Sequence, residues 1–242
     1  MARQPAPPAL VAAKACVHAL ALAPLAWLCW RVSRVYTGAD LDALGPEPVV
    51  AIEHALGTWA LRLLLLTLAV TPLRQATGLA VLLRFRRMLG LYAFAYASLH
   101  FAAWLVLDLG GFWSQVFTEI AKRPYITVGF AAWLLLLPLA VTSTRGWMRR
   151  LGRGWARLHR LVYPVAVLAV LHFWWIVKSD IREPLLYATI LALLLGWRAL
   201  RWLRDRRAAP APQPEPNSSS SDSNAAISSA ATTSHGTRQR GR

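Results

Sequence analysis

Six apolar stretches occupy the chain between about residues 10 and 203, most of them long enough to cross roughly 30 Å of hydrocarbon as helices rising about 1.5 Å per residue. With 56% hydrophobic residues in 242, the chain falls in the membrane class before any motif is considered. The expected fold is therefore all-α, a bundle of six transmembrane helices placed at about 10–30, 57–71, 88–109, 125–142, 155–175 and 184–203. The second is short, and Pro72 and Arg74 are expected to stop it. A basic start and an apolar run make the first span look like a signal peptide. It lacks a small-x-small cleavage site and reads as an uncleaved span.

Three regions follow: residues 1–9, the six-helix domain 10–203, and a tail 204–242. The tail is rich in Pro, Ser, Ala and Thr and cannot bury enough apolar surface to offset its ordering entropy, so it is expected to be disordered. His235, inside it, is not a candidate ligand.

The net charge of +16 comes from arginines clustered at the ends of apolar segments, which is a topology signal rather than a nucleic-acid one. Arg74, Arg84, Arg86 and Arg87 precede the third span, and Arg145, Arg149, Arg150 and Arg153 precede the fifth. The other loops hold fewer cations beside several acids. Both termini are thus expected on the cytoplasmic side. The two cysteines, Cys16 and Cys29, both lie in the first span and suggest no disulfide framework. No C-x-x-C-H is present, so any haem would be held non-covalently.

Ionisable side chains inside a span are costly and persist mainly with a partner or a job, and axial ligation of haem iron is the leading job for paired membrane histidines. His159 and His172 share the fifth span but are thirteen residues apart, about 20 Å in depth and about 140° in direction on an ideal helix. They cannot hold the same iron, although Pro164 between them can kink the helix.

His100 pairs better with His172. Spans three and five run parallel, and His100 lies thirteen residues past Arg87 while His172 lies twelve past Arg160, both about 18–20 Å from the basic end. Gly90, Ala93, Ala97 and Trp104 fall within about 60° of His100, a small-residue face that lets a neighbouring helix or a flat porphyrin come close. The alternative is two helices packed through small residues, with each histidine bonded to a backbone carbonyl. His159 stands at the basic boundary with His18 as a weak candidate partner, and snorkelling or phosphate contact accounts for it equally well.

The segments LAVTPLR (68–74), RRMLGLYAFAYASLH (86–100), KRPYITVG (122–129), TSTRGWMRRLG (142–152) and WARLHRLVY (155–163), followed by His172, resemble the MsrQ (YedZ) family over about residues 10–203. The resemblance implies a ferric-reductase-like six-helix domain in the bacterial inner membrane, carrying haem b and FMN. It implies electrons taken from the quinone pool or a separate flavin reductase and passed to MsrP, a periplasmic molybdopterin enzyme that reduces methionine sulfoxide in proteins. The family's haem histidines correspond to His100, His159 and His172. Unlike the wider ferric reductases, the third span has one histidine and no dinucleotide-binding motif follows the sixth, so a second haem is in doubt and the donor must be another molecule. A small transporter with proton-relaying histidines and a structural assembly factor are the competing readings.

Overall fold

The computed structural model describes residues 8–177 and 180–207. The tail expected from residue 204 is still helical to Arg207; its remainder, including His235, and residues 1–7 lie outside the described residues. Among the described residues there is no β-strand, and six helical stretches are long and apolar enough to cross a membrane. The protein is a multi-pass, all-α membrane protein.

Helix α1 spans Pro8–Tyr36, α2 Pro48–Thr77 and α3 Leu83–Ala103, the last continued by a π-helical turn over Trp104–Asp108. A short α4 (Val116–Lys122) leads into α5 (Pro124–Val141). Two short helices, α6 (Arg145–Leu151) and α7 (Arg153–Leu158), and a 3₁₀ turn (His159–Leu161) then precede α8 (Val162–Ile176) and α9 (Arg182–Arg207). In the last turns of α9, the Arg206 guanidinium lies 3.7 Å from the Trp202 ring centre.

The second span is longer than expected at both ends. It begins at Pro48, whose fixed φ and missing N–H suit the first turn of a helix, and it passes through Pro72 before Gly78 ends it in the left-handed conformation at φ 74°. Proline inside a helix costs about 3 kcal/mol, in part because it leaves the carbonyl four residues earlier without its donor. Here that carbonyl belongs to Leu68, and Arg198 of α9 donates Nη2–H to it at 2.8 Å. A hydrogen bond from a charged donor contributes about 1.5–3 kcal/mol, enough to offset much of the break and keep α2 continuous.

Prolines act differently in the other helices. At Pro24 in α1, the Tyr96 hydroxyl donates to Ala21 O at 2.7 Å and accepts Leu25 N–H at 3.1 Å, standing in for one rung of the ladder and fastening α1 to α3. In the fifth span Pro164 crowds the carbonyl of Arg160, and the chain tightens into the 3₁₀ turn there rather than running as a single helix.

Helix α2 is the centre of the bundle. Half of its most apolar eighteen-residue window is buried, against 11% for α1. It packs as an antiparallel hairpin with α3, α5 packs in the same way with α8, and the two hairpins meet around a core of Leu64, Leu68, Ala93, Tyr96, Leu136, Val165 and Ala166. The outward faces carry apolar residues such as Leu20 and Leu193, as lipid contact requires. The adjoining ends of α2 and α3, with Arg74, Arg84, Arg86 and Arg87, and the α6–α7 segment carry the arginine clusters and define a basic end. The opposite end holds Glu53, Asp108 and Glu183.

Candidate functional site

His100 stands near the end of α3, facing α2. Its ring lies over Gly57, where a Cβ would come within 3.2 Å of the imidazole Cε1, and its Nδ1–H donates to the carbonyl of Glu53 at 2.9 Å. His172 repeats the arrangement on the other hairpin. Its ring lies over Gly129 of α5, where a Cβ would come within 2.6 Å of Cε1 and Nδ1, and its Nδ1–H donates to the carbonyl of Tyr125 at 2.7 Å. Each bond spans 47 residues, and each glycine is one helical turn after the carbonyl it accompanies. The absent side chain on the facing helix is what lets each imidazole approach that backbone.

These bonds settle the chemistry of both rings. A carbonyl only accepts, so Nδ1 carries the proton and a neutral ring leaves Nε2 as a bare lone pair. The two ring centres are 6.1 Å apart with planes at 72°. Among the described residues, no group of three His, Cys, Asp or Glu comes together as a bare-ion site, so a metal here would bring most of its own ligands.

Both imidazoles line one cavity of about 340 Å³ between the hairpins. Its walls include Ala93, Ala97, Phe101, Phe130, Trp133 and Phe173. Phe101 stacks on Trp133 with ring centres 4.9 Å apart, and the Trp133 indole N–H is held by Ser98 Oγ at 3.0 Å, which fixes that wall. The π-helical turn after α3 brings Trp104 and Asp108 to the cavity edge. Glu53 and His54 close the same end, and His54 Nε2 is 3.9 Å from Glu183 Oε2 in a half-exposed pair that contributes little to stability.

Two of the three histidines expected at the site therefore come together, and the third does not. His159 sits in the 3₁₀ turn toward the basic end, stacked on Trp155 with ring centres 3.9 Å apart and its Nδ1–H on Trp155 O at 3.1 Å. Its Nε2 is buried without a partner. His18 is no partner for it, being hydrogen-bonded to the Tyr92 hydroxyl at 2.7 Å. Gly90 takes the other role open to that small-residue face: it lets α2 come close, with Thr67 Cγ2 3.7 Å from where a Cβ would stand, and it does not line the cavity.

Gly57, Gly129 and the two acceptor carbonyls were not legible from single-helix periodicity. An internal repeat is the signal that relates the two hairpins: its offset is 71 residues over the leucine run and 72 at the histidines, and 72 also separates Gly57 from Gly129. LLLLTLAVT at 63–71 returns as LLLLPLAVT at 134–142, and Leu-His-Phe at 99–101 returns at 171–173.

Residues 56–170 match the family model described as ferric reductase like transmembrane component, which takes in Gly57, His100, Gly129 and His159. A relative from Xanthomonas euvesicatoria, the protein-methionine-sulfoxide reductase heme-binding subunit MsrQ, is 69% identical over 198 residues, covering 82% of this chain and 90% of the relative. The chain belongs to the MsrQ family. The MsrQ of Xanthomonas campestris strain 8004 is 68% identical over the same shares, and that of Bordetella pertussis is 51% identical over 72% of this chain and 85% of its own. No solved structure matches the chain.

Proposed function

We propose that this MsrQ-family chain is the membrane electron-transfer subunit of a methionine-sulfoxide reductase system, holding haem b between His100 and His172. The observation that carries the reading is the pair of facing imidazoles, each with Nδ1–H committed to a helix carbonyl and Nε2 left bare. Two imidazole–metal bonds of about 2 Å and the radii of two rings add to about 6 Å, which agrees with the 6.1 Å between ring centres. The aromatic walls suit a flat macrocycle. A haem bound there supplies a one-electron iron couple, and the protein supplies everything else.

The Glu53 and Tyr125 carbonyls fix each ring's tautomer and direction and raise the basicity of its Nε2. Phe101, Phe130, Trp133 and Phe173 exclude water and lower the local dielectric, which tunes a redox centre's potential. Both ligands come from packed helices rather than loops, so little reorganisation accompanies electron transfer.

The basic end faces the cytoplasm by the arginine distribution, in the bacterial inner membrane implied by the family. The site then lies in the outer half, toward the end bearing Glu53, His54 and Asp108. There it serves MsrP, the periplasmic molybdopterin enzyme. Electrons enter from the quinone pool or a separate flavin reductase, with His159 beside an inner carrier, for which the family resemblance suggests FMN. A reporter fused after Arg207 is expected to be active only in the cytoplasm, and one inserted between Gly110 and Lys122 only in the periplasm. The reverse pattern would put the site on the wrong side for its acceptor.

The functional test uses purified protein. Its visible spectrum is expected to show an intense Soret band that shifts on reduction, and the pre-reduced protein is expected to be reoxidised by MsrP in the presence of methionine sulfoxide. A transporter or an assembly factor would show neither, and either absence would contradict the proposal.

A further inference from the structure

The cavity that His100 and His172 face is unevenly lined. On the flank where α3 meets α5, Phe101 stacks on Trp133 with ring centres 4.9 Å apart, and Phe130 lies 5.6 Å from Phe101. Toward the basic end the lining is Leu61, Leu64, Leu136 and Val165. Polar groups gather on the other flank, where α2 meets α8. There His54 and Thr58, four residues and about 40° apart, share one face of α2, and the His54 ring lies 5.8 Å from that of Phe173.

Thr58 differs from other helical threonines of the chain. Thr67, Thr77, Thr142 and Thr189 each return the hydroxyl to the carbonyl four residues back. Thr58, only 5% exposed at the cavity wall, does not, and its Oγ1 is buried without a partner. A buried hydroxyl of this kind forfeits its desolvation energy until an acceptor arrives. His54 Nε2 faces Glu183 Oε2 at 3.9 Å, and its Nδ1 is the atom open to a second partner. Glu53 and Asp108, at the outer end of the cavity, offer an anion only further acceptors, and the Trp133 N–H is spent on Ser98.

We propose that Thr58 and His54 bind the carboxylate edge of the haem, fixing its rotation between His100 and His172 so that its apolar edge lies among Phe101, Phe130 and Trp133. Haem b carries both of its carboxylates on one edge and only vinyl and methyl groups elsewhere, which matches a cavity with donors on one flank and aromatic rings on the other. Hydroxyl and imidazole donors to a carboxylate make charge-assisted bonds, the strong kind, and exclusion of water strengthens them. The inference rests on the functional reading above and adds two positioning residues to it.

The test uses the full-length protein in detergent, loaded either with haem b or with its dimethyl ester, whose carboxylates are masked. Transfer of the porphyrin to excess apomyoglobin measures its rate of loss, and the absorption spectrum reports ligation. The wild type is expected to lose the ester at least about tenfold faster than haem, as the loss of hydrogen bonds to charged groups implies. Thr58→Val keeps the shape of the side chain without its hydroxyl, and His54→Phe keeps a ring beside Phe173 without its donors. Each is expected to release haem about three- to tenfold faster while releasing the ester at the wild-type rate. Thr67→Val is the control, a buried threonine of the same helix whose hydroxyl is bound to Leu63 O away from the cavity, and it is expected to discriminate like the wild type. Equal loss of haem and ester from the wild type overturns the proposal, as does discrimination that survives in both variants. Survival in one variant removes that residue from the site. A variant that also sheds the ester faster is losing its fold, and the wild-type comparison then decides alone. Failure of the functional reading looks different: neither porphyrin would give a low-spin, bis-imidazole spectrum, and this inference would fall with it.

Discussion

Alanine at His100 or at His172 is expected to lower bound haem per protein by about tenfold or more while membrane insertion is kept. Each substitution removes one of two bare Nε2 atoms facing a common cavity, and among the described residues no group of three His, Cys, Asp or Glu stands there to hold the metal instead. Insertion is unaffected because the helix loses a polar group and gains none. His159→Ala serves as the contrast: its ring is stacked on Trp155 away from the cavity, so the haem between the hairpins is expected to persist. Haem quantification beside total protein in the three variants checks the pattern. Retention of a wild-type spectrum in His100→Ala and His172→Ala would remove both from the ligand set.

Gly129→Ala is expected to be nearly as damaging as losing a ligand, and clearly worse than Gly57→Ala. The new methyl at position 129 would stand 2.6 Å from His172 Cε1 and Nδ1, closer than real carbon contacts come, and the obstacle is a ring held between packed helices. Either the ring swings off the Tyr125 carbonyl or α5 and α8 part. Loss of such a supporting bond costs about 10- to 100-fold in metal affinity. At Gly57 the nearest approach is 3.2 Å, so a shift of a few tenths of an ångström accommodates the methyl. Its effect is expected to stay within about threefold, an order below the supporting-bond loss. Haem titration of the two apoproteins measures the difference. Equal affinities, or a greater loss in Gly57→Ala, would mean that the close backbone approach is not what positions the rings.

The level shared by His100 and His172 could be read from the chain because rise per residue is fixed and the arginine runs mark a common reference plane. The facing of one helix on another could not. Periodicity within the third span puts Gly90, Ala93, Ala97 and Trp104 on the His100 side, but which of them meet the cavity and which, like Gly90 on Thr67, meet α2 is set by tertiary contacts. Read locally, the second span runs only from Gly57 to the proline at 72, which leaves Glu53 outside it, although the Glu53 backbone is the helical acceptor for His100. Pro72 does not end α2, because Arg198, 130 residues beyond Leu68 in sequence, supplies the donor that the Leu68 carbonyl lacks. Pro164, by contrast, does perturb its helix, and the tightened turn falls where its ring crowds Arg160.

The claim that two hairpins, each offering one carbonyl-anchored imidazole, share a single haem is tested most directly by near-infrared magnetic circular dichroism of the oxidised wild-type protein, together with haem-to-protein stoichiometry. A six-coordinate, low-spin signal of bis-imidazole type, present at no less than about one haem per chain, is the expected result. A high-spin or five-coordinate centre, or a low-spin centre with a non-imidazole axial ligand, would contradict it.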